Sequence, residues 1–170
     1  ILPEVLVGLT NSDRQQNNIG FLEINALLQK AAQLKAHDMA AKGYFSHTSP
    51  EGKKPWAWLD EVGYNYEYAG ENLAVSFVDS SEIEKAWMDS ASHRANILDN
   101  NFTQIGIGAA VGLYKGQETQ FVVQFFGRPV QELVSVAAAP ETQAPVAVQN
   151  AEPVKEPPMA GATVKNNPVA

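Results

Sequence analysis

The chain has 170 residues, no cysteine, ten prolines and a net charge of −7. Zero cysteines exclude a disulfide scaffold, thiolate metal sites and a cysteine nucleophile. The acidic balance, with Lys53-Lys54 as the only adjacent basic pair, argues against nucleic acid as a partner, whose footprint is a basic patch.

The first element is a helix over 3–17, with Val5, Leu6 and Leu9 on one face and Asn17-Asn18 breaking it. Asn25 reads as the N-cap of a second helix, Ala26 to Lys42, striped by Leu27, Leu28, Ala31, Leu34, Ala36 and Met39. Lys42-Gly43 ends it with a C-terminal cation and a C′ glycine. Residues 44–54 carry Pro50 and Gly52 and read as loop. Pro55 suits the first turn of a short helix ending at Gly63. Residues 64–78 are rich in aromatics and read partly as strand, interrupted at Gly70. Ser81-Glu82-Ile83-Glu84 reads as a capping box before a helix carrying Ile83 and Trp87 at i, i+4. A short helical segment follows over 93–98. Then come two strands. The first, 104–114, alternates through Ile105, Ile107, Ala109, Val111 and Leu113. The second, 121–126, is β-branched and aromatic, and Lys115-Gly116-Gln117-Glu118 joins the two as a hairpin. Helices interleaved with antiparallel strands give an α+β class, a sheet covered by helices.

Residues 132–170 differ in composition. Ala, Val and Pro make up 22 of these 39 residues, and the last aromatic is Phe126. Such a stretch buries too little surface to offset the entropy of ordering it, and proline favours extended geometry. We expect a folded domain over 1–131 and a disordered linker or tail over 132–170. No run approaches the ~20 apolar residues of a membrane span. No basic-then-apolar leader is visible, and the chain begins with Ile1, so a mature or trimmed chain is expected.

The chemistry-bearing residues are few. His37 lies mid-helix and reads as a surface residue. His47 sits in the loop after the long helix, and His93 follows a helix in Ser92-His93-Arg94-Ala95-Asn96. Imidazole is the commonest metal ligand and titrates near neutral pH. Glu71, between aromatic stretches and next to Gly70, reads as partly buried, needing a cation, a histidine or backbone donors as partners. Ser46, Ser90 and Ser92 neighbour the histidines, but there is no nucleophile elbow, S-x-x-K or phosphate loop. Trp56 and Trp58, with Tyr64, Tyr66 and Tyr68, either line an apolar groove or pack as core and rim.

Six segments in order carry a resemblance: 9–14, 32–41, Tyr44-Phe45-Ser46-His47, Ala69-Gly70-Glu71-Asn72-Leu73-Ala74, 87–98 with Trp87 and Ser92-His93-Arg94-Ala95-Asn96, and 102–108. Together they resemble the CAP superfamily of cysteine-rich secretory proteins, antigen 5 and plant pathogenesis-related proteins, in its bacterial SCP-like branch. The resemblance implies an α-β-α sandwich with a central antiparallel sheet between helical layers. It implies a secreted or cell-envelope location and a cavity tetrad of two histidines and two acids. His47, Glu71 and His93 match three members; Ser90 stands at the fourth, usually acidic, position. Zinc or another divalent cation would then be held by His47 and His93, with Glu71 bridging through water. Arg94, Asn96 and Arg128 also match and read as buried groups satisfying carbonyls. Three functions compete. The first is a non-enzymatic, monomeric module for a small apolar ligand, a lipid or a cell-surface partner. The second is a hydrolase using Glu71, or Ser90 with His93 as base. The third is a surface adhesin head with a vestigial site.

Overall fold

The computed structural model describes residues 1–130 and 162–164. Five helices and five strands follow in chain order: α1 (Pro3–Gln16), β1 (Glu23–Ile24), α2 (Ala26–Lys42), α3 (Pro55–Glu61), β2 (Tyr66–Val75), α4 (Ser80–Asp89), α5 (Ala91–Ile97), β3 (Gln104–Tyr114), β4 (Gln117–Pro129) and β5 (Ala162–Val164). The sheet order is β1-β3-β4-β2-β5. Its centre, β3-β4-β2, is antiparallel as expected, while β1 and β5 add parallel pairings at the two edges. The linker expected over 132–170 lies outside the described residues, apart from β5.

The sheet separates two apolar layers. On one face, Leu28, Ala31, Ala32 and Met39 of α2 and Trp56, Trp58 and Leu59 of α3 pack against Leu73, Phe121, Val123 and Phe125. On the other, Leu6 of α1, Ile83 and Trp87 of α4 and Ile97 of α5 pack against Ala74, Ile105, Ile107, Val122 and Phe126. Alternation along β4 sends Phe121, Val123 and Phe125 one way and Val122 and Phe126 the other, as a two-faced central strand requires. The α-β-α sandwich is therefore present. Trp56 and Trp58 are core residues.

Several local expectations hold. Asn25 Oδ1 accepts from the amides of Leu27 and Leu28, and Gly43 ends α2 in the left-handed region at φ 67°. Others are corrected. Gly70 does not interrupt β2, which pairs with β4 through it. A side chain at Gly70 would come within 2.7 Å of the Phe102 ring, so the glycine serves close packing. Asp79, not Ser81, caps α4, accepting from the amides of Ser81 and Glu82. Val111 and Leu113 continue the alternation of Ile105 and Ile107 yet are each 61% exposed.

The opposite face of β3 lies hard against the α2 backbone. A Cβ at Gly106 would lie 2.2 Å from the Leu28 carbonyl carbon, and one at Gly108 2.4 Å from that of Ala32. The glycines thus let the α2 backbone lie directly on the strand. Gln33 ties the two together, donating to Ala109 O at 2.8 Å and accepting from Ala109 N at 3.3 Å. This seating fixes what α2 presents to β2.

Candidate functional site

Alternation along β2 aims Glu71 at the α2 layer, where it meets Lys35, a residue that no sequence motif singles out. Lys35 occupies the buried stripe of α2, one turn from Ala31, Ala32 and Met39, and its side chain is 0% exposed. Its Nζ donates to a Glu71 carboxylate oxygen and, at 2.7 Å, to the backbone carbonyl of His47. The other Glu71 oxygen lies 2.5 Å from His47 Nδ1. Glu71, 1% exposed, therefore has both oxygens engaged. An ionised carboxylate only accepts, so His47 Nδ1 carries the proton here and Nε2 is left without a partner among the described residues. Burial pulls the Lys35 ammonium below its ordinary pKa, while Glu71 opposes that shift by charge and hydrogen bond.

Ser90 and His93 form a second pair. Ser90 ends α4 and caps α5, and its Oγ lies 2.7 Å from His93 Nδ1. His93 is 3% exposed. The two pairs adjoin through amides: Asn96 Nδ2 donates to Glu71 O at 3.1 Å, and Asn72 Nδ2 to His93 O at 3.3 Å. The structure thus brings Glu71 to His47 and Ser90 to His93. His37 is exposed, as expected of a surface residue.

The donor set does not fit a resident divalent ion. The one carboxylate is neutralised by an ammonium, and the remaining nitrogen donors are two imidazoles. Among the described residues no group of three or more His, Cys, Asp or Glu is placed to hold a metal.

A buried polar chain starts beside this site. Asn96 Nδ2 donates to Asn72 Oδ1 at 2.9 Å, and Asn72 Nδ2 donates to Gln124 Oε1 at 3.0 Å. Gln124 Nε2 then donates to Thr10 Oγ1 at 2.9 Å, and Thr10 to Glu84 Oε2 at 3.0 Å. It crosses from α5 through β2, β4 and α1 to α4. Asn96 is thus a buried bridging amide, as expected. Arg94 is exposed, donating to Met88 O, and Arg128 is half-buried, donating to Asn100 O at 3.3 Å and lying against the Tyr68 ring. The buried guanidinium is instead Arg14, which donates to the carbonyls of Gly20, Ile97, Asp99 and Phe102.

A groove of about 730 Å³ lies among Asn25, Leu27, Tyr64, Tyr66, Gln104 and Val130. Tyr64 and Tyr66 stack with centroids 6.4 Å apart and planes at 13°. Gln104 Oε1 accepts from Asn25 Nδ2 at 3.1 Å and Tyr64 Oη at 2.8 Å, which fixes the amide and leaves its NH2 as a donor.

A two-layered helical sandwich with histidine pairs beside a buried glutamate defines a class of small α-β-α domains, and direct comparison agrees. The profile described as the cysteine-rich secretory protein family (CAP) matches residues 7–126, and the chain belongs to this family. It is 40% identical over 123 residues to the uncharacterized protein YkwD of Bacillus subtilis (strain 168), covering 72% of this chain and 46% of that protein. Among solved structures, an extracellular protein containing an SCP domain from Bacillus anthracis str. Ames is 30% identical. Its TM-score is 0.64, over 74% of this chain and 40% of that one. An outer surface protein from Borrelia burgdorferi shares the fold at TM-score 0.62 and 23% identity, over 74% of this chain and 91% of that one. The chain thus spans less than half of the Bacillus subtilis relative. Among the described residues, no helix is long and apolar enough to cross a membrane.

Proposed function

We propose that this CAP domain is a non-enzymatic binding module, working outside the cell or at its envelope, for a small and largely apolar molecule. The observation that carries the reading is the groove at Tyr64 and Tyr66. Its volume of about 730 Å³ falls in the range of small-molecule sites, roughly 300–1,000 Å³. Aromatic and aliphatic walls supply burial, and the NH2 of Gln104 supplies one oriented donor. The extracellular relative from Bacillus anthracis supports the location.

The histidine side of the domain supports binding over turnover. Glu71 has both oxygens engaged and cannot take a proton from water without breaking a buried pair. One contact favours the hydrolase reading: Ser90 lies at hydrogen-bonding distance from His93, as a nucleophile and base require. Against it, His93 is almost fully buried.

Native mass spectrometry and tyrosine fluorescence with a panel of fatty acids and sterols test the proposal. Wild type should retain a probe. Leu27→Asp, at a position 39% exposed, and Tyr66→Ala should each weaken it at least about tenfold, the size of losing one buried apolar contact. If no probe is retained, or both variants retain it equally, the groove reading is wrong.

A further inference from the structure

Lys35 raises a question of charge that the family resemblance does not. A buried carboxylate bonded to a histidine would attract a divalent cation if it carried its charge unopposed. Here it does not. The Lys35 ammonium has no solvent exposure and is bonded to Glu71 and to the His47 carbonyl. It therefore holds the acid through one carboxylate oxygen and His47 through its backbone carbonyl, while the other Glu71 oxygen meets the imidazole. Glu71 and Lys35 together sum to zero charge. A divalent ion arriving beside Glu71 would find one carboxylate oxygen held by the Lys35 ammonium and the other by His47 Nδ1, with none free to complete its shell. Ions of this kind need several donors to replace their water.

We propose that Lys35 is the resident cation of this site, built into the chain where a divalent ion would otherwise be needed. It orients Glu71 and, through Glu71, the tautomer of His47. What the site then offers a ligand is the Nε2 edge of His47. The inference concerns the histidine side and stands apart from the groove, so a failed lipid capture leaves it intact.

Zinc chloride titrated into the full chain by calorimetry at neutral pH tests it. Wild type and His47→Ala should give the same weak, unsaturated heat. Lys35→Met frees the Glu71 oxygen it holds, so that Glu71 and the adjoining His47 Nδ1 can take zinc between them in place of the ring proton, and should bind one zinc roughly 10–100-fold tighter than wild type, the scale on which partner groups tune metal affinity. The pair Lys35→Met with Glu71→Gln should lose that gain while remaining folded by circular dichroism. Saturable wild-type binding that His47→Ala abolishes would overturn the proposal. So would a folded Lys35→Met that gains no affinity. Should Lys35→Met fail to fold, the wild-type side-chain nitrogen resonance decides. A charged ammonium protected from exchange, and deprotected by Glu71→Gln, is expected; a neutral or freely exchanging amine refutes the assignment.

Discussion

Replacing Glu84 with glutamine should change how the stability of the domain depends on pH. Glu84 is 3% exposed on α4. Its Oε2 accepts from Thr10, and its Oε1 has no hydrogen-bond partner among the described residues. Burial raises its pKa from the ordinary 4.5 to about 8; the Thr10 hydroxyl opposes the shift, and the Asp13 charge reinforces it. In the unfolded chain the carboxyl ionises near the ordinary value. Between the two pKa values the folded state therefore holds a proton that the unfolded state has lost. Stability must fall as pH rises through this window. The contribution is complete below the unfolded pKa and is lost as pH passes the folded one. The slope approaches about 1.4 kcal/mol per pH unit, and the whole window spans about 5 kcal/mol. Glutamine cannot ionise, so Glu84→Gln should remove the slope. Urea denaturation of both proteins from about pH 5 to 9 reads it directly, because other titrating groups cancel in the difference. Wild-type stability relative to the variant should decline by several kcal/mol. A difference that stays flat or rises with pH would refute the reasoning. The polar chain supplies a second readout. Ionisation of Glu84 should shift the side-chain amide resonances of Gln124 and Asn72, and through them Asn96 at the candidate site.

Three further predictions concern stability. Gly106→Ala forces a methyl to 2.2 Å from the α2 backbone, and should cost about 3 kcal/mol or prevent folding, since neither strand nor helix can yield. Gly8→Ala, in α1 with nothing within 4 Å, should instead stabilise by about 1 kcal/mol through helix propensity; thermal melts of the pair separate crowding from propensity. Arg14→Ala leaves four carbonyls without their guanidinium and should cost about 4 kcal/mol by denaturant titration; a loss under about 1 kcal/mol would show that water replaces it without penalty.

Much of this architecture was legible residue by residue. Caps and breakers are local, so Asn25, Gly43 and Pro55 marked their helices correctly. Alternation marked β3 and β4, and ordered motifs pointed to His47, Glu71, Ser90 and His93, which the structure pairs as Glu71 with His47 and Ser90 with His93. The cap of α4 was misplaced by two residues because Asp79 and Ser81 are both good caps, and only the path of the preceding chain chooses between them. β1 and β5 were missed because two- and three-residue strands have no period to detect; their partners define them.

Lys35 marks the boundary most clearly. Its position on the α2 stripe, with Ala31, Ala32 and Met39, was readable, and a lysine at a core phase was the available signal. What it touches was not, because Glu71 is 36 residues away and comes into reach only when α2 seats on the β3 glycines. The sequence alone determined the family, the caps at Asn25 and Gly43 and the strand alternation, because those depend on neighbours within a few residues. The tertiary structure alone decided that Glu71 faces an ammonium, that Arg14 rather than Arg94 is buried, and that a polar chain runs from Asn96 to Glu84. Each of those depends on elements that meet only across the packed sheet.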